Sequence, residues 1–159
     1  MKNPLDADVW MQPDWIARAV VLLDSFRKRL GRELLERSGE ATIDARRLFE
    51  APCVVVAHGT EADPILNYAN RTALDLWATD VASITRMPSR LTAEAPERAE
   101  RERLLERTAR DGYVDDYRGI RITSTGRRFE IDRAIVWNLE DSAGVRVGQA
   151  ATFADWRFL

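Results

Sequence analysis

The hydrophobic positions change period partway along the chain. Near the N-terminus, Ile16, Ala19, Val20, Leu23, Phe26, Leu30 and Leu34 recur at three- and four-residue spacing, one stripe of a 3.6-residue helix. Pro13 and Asp14 form its start, with Asp14 placed to cap free N–H groups, and Gly31 ends or kinks it. Ser38-Gly39 reads as a loop. Ile43, Arg47, Leu48 and Phe49 suit a short second helix closed before Pro52. From Cys53 the pattern is strand-like: Cys53-Val54-Val55-Val56-Ala57 is a β-branched run closed by His58-Gly59. A polar turn, Thr60 to Asp63, leads into a returning strand over Ile65-Leu66-Asn67-Tyr68-Ala69. Asn70 then stands where a helix N-cap belongs, before the apolar face of Ala73, Leu74 and Trp77.

A second long helix is predicted over Thr92 to Asp111, with Pro96 in its first turn, Leu104 and Leu105 as its apolar contacts and Gly112 as its end. Glu94–Arg98, Glu97–Arg101 and Glu106–Arg110 have the i,i+4 spacing of helix ion pairs, and the arginines along it read as a solvated face. Three strands follow. Tyr113 to Thr123 alternates, with Ile120 and Ile122 on one side. In the next strand Phe129, Ile131, Ile135 and Trp137 share a face, with Arg133 between them. Val147 to Phe153 is the last, the turns being Ser124-Thr125-Gly126 and Ser142-Ala143-Gly144.

Composition narrows the chemistry. The 159 residues suit one domain, with 45% hydrophobic and 31% charged residues. A net charge of -2 gives no nucleic-acid footprint, and the apolar run Trp15 to Leu23 is too short to span a bilayer. No targeting segment precedes it, so a cytoplasmic protein with neither nucleic-acid nor membrane partners is expected. Of the 24 basic residues 22 are arginines, a skew that reflects coding bias, so arginine number alone argues nothing. One Cys and one His exclude an intramolecular disulfide, Cys-cluster zinc or iron–sulfur sites and His-pair metal motifs. There is no nucleophile elbow, and neither glycine-rich phosphate-binding motif occurs.

Two strands, a helical connection and three consecutive antiparallel strands follow the order of a PAS-like domain, and Asn67-Tyr68-Ala69-Asn70-Arg71-Thr72-Ala73-Leu74 resembles the second strand and following helix of such domains. A narrower resemblance covers nearly the whole chain. Ala57-His58-Gly59, Asp63-Pro64-Ile65-Leu66-Asn67-Tyr68-Ala69-Asn70, Pro88-Ser89-Arg90-Leu91-Thr92-Ala93-Glu94, Gly119-Ile120-Arg121-Ile122, Gly126-Arg127-Arg128-Phe129 and Gly148-Gln149-Ala150-Ala151-Thr152-Phe153 look like the bacterial single-domain MEKHLA family. That family is PAS-like and also ends plant homeodomain–leucine-zipper regulators; its naming hexapeptide is absent here. The resemblance implies an α+β fold with a five-stranded antiparallel sheet and a helical connection over residues 51–159. Residues 1–50 form an N-terminal helical extension. It also implies a sensory or small-molecule-binding role, with a pocket between sheet and helices.

The cofactor of such a pocket is unknown from the sequence. Flavin photochemistry needs a Cys in the helical connection and haem a His there; Cys53 and His58 both lie elsewhere, so neither group, nor a structural zinc, is expected. The candidate ligand-binding residues are His58, Asn67, Asn70, Arg90, Arg121 and Gln149. His58 ends an apolar strand beside Gly59, Glu61 and Asp63, and either bonds the turn or meets a ligand. Asn67 needs a partner if buried, and Asn70 is a helix cap. Arg90 stands at a helix entrance and either pairs with Glu94 or holds an anion. Gln149 faces the core with partners expected from Glu130, Asp132 or Arg133. His58, Asn67, Arg90 and Gln149 are expected to converge on one cavity. The function expected is a small-molecule sensor acting through a partner or a homodimer. The alternatives are an enzyme on a small anionic metabolite, with His58 as acid or base and Arg90 or Arg121 on the anion, and a purely structural dimerisation module. The homodimer is expected through the N-terminal helix, whose stripe is too apolar for solvent. With no segment after Leu159 to carry an output, signalling is expected to pass through an interface.

Overall fold

The computed structural model describes residues 4–159. A 3-10 helix, Pro4–Met11, leads into α1 (Pro13–Leu30) and α2 (Ala41–Phe49). Then come β1 (Val54–His58), β2 (Leu66–Ala69), α3 (Arg71–Trp77), the single turn α4 (Val81–Ile84), a 3-10 helix Ser89–Thr92, and α5 (Ala95–Asp111). The chain closes with β3 (Tyr113–Ile122), β4 (Arg128–Glu140), β5 (Arg146–Phe153) and β6 (Asp155–Phe158). All pairings are antiparallel and the strand order is β2-β1-β5-β4-β3, with β6 beside the first half of β4. The sequence pattern did not signal β6, a four-residue strand that is mostly exposed and has no buried alternation to announce it.

Helices cover both faces of the sheet. On the outer face, Phe26 of α1 meets Trp137 edge-on at 5.0 Å, and the Trp137 indole N–H donates to the Leu22 carbonyl at 3.3 Å. Trp15 packs on Tyr68 of β2 and Phe49 of α2. Glu140 takes ion pairs from Lys28 and Arg29 and donates its backbone N–H to Ser25 at 3.0 Å, so α1 is tied to β4 along its last two turns. The buried stripe of α1 is Trp15, Ala19, Leu22, Leu23 and Phe26; Val20 is half-buried at its margin and Leu34 lies beyond the end of the helix. The N-cap position of the helix is Gln12 rather than Asp14, and the helix stops because Gly31 takes a φ of 71°, which L side chains resist. The stripe is therefore covered by the chain's own sheet. This removes the ground on which a homodimer through this helix was expected.

On the inner face, Trp77 of α3 packs edge-on against Phe129 at 5.3 Å and Phe153 at 6.2 Å. Leu104 of α5 is buried behind them. The expected face of β4 changes midway. Arg133 has a φ of 52°, and the β3–β4 register slips between Tyr117 and Gly119 opposite it. One residue in the left-handed region inverts the alternation. Phe129 and Ile131 face inward before it and Ala134 and Val136 after it, while Trp137 turns to α1 on the outer face. Ile135 and Trp137 thus do not share the face of Phe129 and Ile131.

The i,i+4 pairs expected along α5 do not form. Glu94 pairs with Arg128 at 3.0 Å, Arg98 donates to the Ala93 carbonyl at 3.3 Å, and Arg110 pairs with Asp111 at 2.9 Å. Among the described residues no helix is long and apolar enough to cross a membrane.

Candidate functional site

A cavity of about 80 Å³ lies between the inner face of the sheet and α3, α4 and α5. Its body is apolar, with Leu66, Trp77, Ile84, Leu104, Ile131 and Phe153 among its walls. Its polar side chains come from four directions. His58 and Gln149 face each other across the β1–β5 ladder, Arg121 comes from β3, Arg101 from α5 and Ser89 from the connection.

Gln149 is 1% exposed. Its amide nitrogen donates to the Leu105 carbonyl of α5 at 3.1 Å and to Asn138 Oδ1 at 3.0 Å; Asn138 in turn donates to the Ala109 carbonyl at 3.3 Å. Both amide hydrogens being engaged fixes the orientation of the side chain, and Oε1 is left buried with no partner among the described residues. These contacts replace the partners expected from Glu130, Asp132 or Arg133. They hold α5 to the sheet at the height of the cavity.

His58 is 8% exposed, and its Nδ1–H donates to the Gly59 carbonyl at 2.9 Å. Burial pushes the imidazole below its usual range, the Gly59 carbonyl opposes this, and the charges of Arg101 and Arg146 add to it. The neutral ring then presents Nε2 as an acceptor, and that atom is buried without a partner among the described residues. Gly148 permits the close approach of β5 here, because a Cβ at that position would overlap the His58 carbonyl oxygen. A third lining residue, Trp77, carries an indole N–H that is also buried and unpartnered among the described residues.

Two arginines line the same cavity. Arg101 is 4% exposed, donates to Ser89 Oγ and reaches the exposed Glu102 at 3.6 Å. Burial and then the charge of Arg121 pull its guanidinium down to about 10. Arg121 is 7% exposed, donates to the Ile120 carbonyl at 2.8 Å and lies 5.4 Å from the Tyr117 ring centroid. The Tyr117 hydroxyl, its acidity lowered chiefly by burial, donates to Glu100 at 2.9 Å. The edge strand β3 thus points Arg121 inward and leaves Ile120 and Ile122 half-exposed.

Of the four residues expected to converge, His58 and Gln149 do so. Asn67 is the extra residue of a bulge between β1 and β2, where the register slips from Ala57–Tyr68 to His58–Leu66. It lines a separate groove on the α1 side, with Val21 and Val147. Arg90 is exposed and pairs with Asp63 at 3.2 Å, not with Glu94, and does not line the cavity. Asn70 is fully buried and occupied: Oδ1 accepts from Val55 N–H at 3.0 Å and Ala73 N–H at 3.1 Å, and Nδ2 donates to the Leu48 and Cys53 carbonyls. Arg101, expected on a solvated face of α5, is buried against the cavity. The signal that locates it is its spacing: Arg101, Leu104, Leu105 and Thr108 form an i, i+3, i+4, i+7 stripe, and this stripe packs on the sheet. Cys53 is a free thiol outside the cavity, and among the described residues no cluster of His, Cys, Asp and Glu could hold a metal ion.

The model of the MEKHLA domain family matches residues 16–158, so the match includes most of α1. The homeobox-leucine zipper protein HOX29 of Oryza sativa subsp. indica is 22% identical over 163 residues, covering 99% of this chain and 18% of that protein. The chain therefore spans less than a fifth of its curated relative. Among solved structures, the PAS domain of a protein from Colwellia psychrerythraea superposes with a TM-score of 0.60 at 10% identity, over 72% of this chain and 92% of that one. A light-oxygen-voltage domain solved with a flavin analogue gives 0.57 at 14% identity, over 72% and 83%. The fungal blue-light photoreceptor Vivid, in its light-state dimer, gives 0.56 at 13% identity, over 84% and 90%. These likenesses establish a PAS-like fold. With a family model matched over most of its length, the chain belongs to the MEKHLA domain family.

Proposed function

We propose that this protein is a sensory domain that binds a small molecule in the cavity between its sheet and α3–α5, and that it passes the signal to a protein partner or a second copy. The observation that carries this is the pair of buried acceptors, Gln149 Oε1 and His58 Nε2, held in the cavity without partners among the described residues. An unsatisfied buried polar atom costs about 1–3 kcal/mol, and a ligand that bonds both offsets that cost. The likeness to blue-light receptors supports signal sensing. It does not extend to a flavin adduct, because Cys53 is outside the cavity and about 80 Å³ is far too small for an isoalloxazine ring system. The contacts of Gln149 with Leu105 and Asn138 suggest how occupancy would reach the surface, by shifting α5 against the sheet.

The test is native mass spectrometry of the purified protein together with a thermal-shift screen against a general metabolite library. At least one small compound is expected to raise the melting temperature saturably, and Gln149→Leu to abolish that rise. If no compound shifts the melting temperature, and the purified protein carries no adduct mass, the proposal fails.

A further inference from the structure

Resting on the reading of this cavity as a ligand site, we infer that its ligand is a small hydroxycarboxylate, with the carboxylate on Arg121 and Arg101 and the hydroxyl on His58 and Gln149. Two observations point to the anion. Arg121 and Arg101 are 7% and 4% exposed and line one cavity, where the charge of Arg121 acts on the Arg101 guanidinium. Among the described residues Arg121 has no carboxylate in ion-pair contact; its partners are the Ile120 carbonyl and Tyr117, both ring and hydroxyl. Among the described residues the only ion pair of Arg101 is with Glu102, which is largely exposed and 3.6 Å away. Two like charges withdrawn from water without a buried counter-charge are costly, and an anion between them removes that cost.

The two buried acceptors specify the ligand's donor. Nε2 of a neutral His58 and Oε1 of Gln149 are both acceptors, so the ligand must present a donor to them. Either a hydroxyl or an ammonium could do so. An ammonium is disfavoured, because the charges of Arg101 and Arg146 already act against a proton on His58. The volume, about 80 Å³, limits the ligand to a few carbon atoms, and the apolar walls favour an alkyl body.

Isothermal titration calorimetry on the full chain tests this with lactate and 3-hydroxybutyrate as probes. The controls are their primary amides, which lack the charge, propionate and butyrate, which lack the hydroxyl, and alanine, which carries an ammonium. At least one hydroxy acid is expected to bind about tenfold or more tighter than its amide and its deoxy analogue, as expected for losing one hydrogen bond to a charged or buried group. Arg121→Met is expected to remove the preference for acid over amide while the protein still melts cooperatively. Should that variant not fold, the wild-type ligand series decides alone. Equal binding of acid and amide overturns the anion assignment, and alanine binding more tightly than lactate overturns the hydroxyl assignment. Absence of binding by both hydroxy acids at millimolar concentration overturns the inference as a whole. A neutral compound emerging from the library screen would then leave the sensory reading standing and this one fallen.

Discussion

Asn70 and His58 differ in kind although both are buried polar groups beside β1. Asn70 has its hydrogen-bonding groups satisfied within the protein, linking the end of α2, the start of β1 and the first turn of α3. Asn70→Ala leaves two buried N–H groups and two carbonyls without their partner, and should lower the unfolding free energy by about 2–4 kcal/mol in urea titrations. His58 has one nitrogen satisfied and one free. Its folded pKa is held below the unfolded value of about 6.5, so the unfolded chain takes up the proton first. Stability is therefore full above about pH 6.5 and declines as the pH falls below it, towards the depressed folded pKa. Melting temperatures measured between pH 7.5 and 5 should show this decline in the wild type. In His58→Asn, which keeps a donor for the Gly59 carbonyl but does not titrate, the decline should be smaller. An unchanged slope in the variant would assign the pH dependence to other groups.

The elements are placed by a few irregularities more than by their regular parts. Strand β4 serves both faces because Arg133 sits at a φ of 52°, which turns Val136 to the cavity and Trp137 to α1. Its side chain is largely exposed and pairs with Asp155 at 2.9 Å, an exposed contact of small value. Replacement by glycine removes a strained conformation at little other loss, so Arg133→Gly should leave the unfolding free energy unchanged or raised by up to about 1 kcal/mol. A β-branched residue resists the left-handed region more strongly, and Arg133→Val should lower it by about 1–3 kcal/mol. Chemical denaturation of the two variants side by side separates backbone strain from the lost ion pair, since both remove the latter.

In the whole molecule, α1 and α2 close one face of the sheet and α3 to α5 the other, so the N-terminal helices are part of the core. Phe26 is fully buried against Trp137. Phe26→Ala should cost about 3–5 kcal/mol, through lost burial and the cavity left behind. Because that void opens on the outer face, ligand-induced melting shifts at the inner cavity should persist wherever the variant still folds. Their loss would mean that the two layers are coupled through the sheet.

Local interactions made much of this legible. The order of helices and strands, the Gly31 and Gly112 stops and the Asn70 cap follow from periodicity, capping and turn chemistry acting over a few residues, whereas the opposition of His58 to Gln149 was expected only from the strand order of the PAS-like resemblance. The facing of side chains beyond an irregularity does not, because a single left-handed or bulged residue inverts every later position in a strand. Arg133 did this to Ile135 and Trp137, and the bulge at Asn67 sent that amide to the α1 side. Arg101 is the converse case. Its helical spacing with Leu104 and Thr108 marks it as inward, yet a charge is expected in water until a neighbouring element supplies a reason to bury it. Part of that reason lies in Ser89, whose Oγ accepts from the Arg101 guanidinium only once α5 and the connection have packed together. The cover on the outer sheet face has the same origin: an amphipathic helix announces that it needs a partner, and packing decides that the partner is its own sheet.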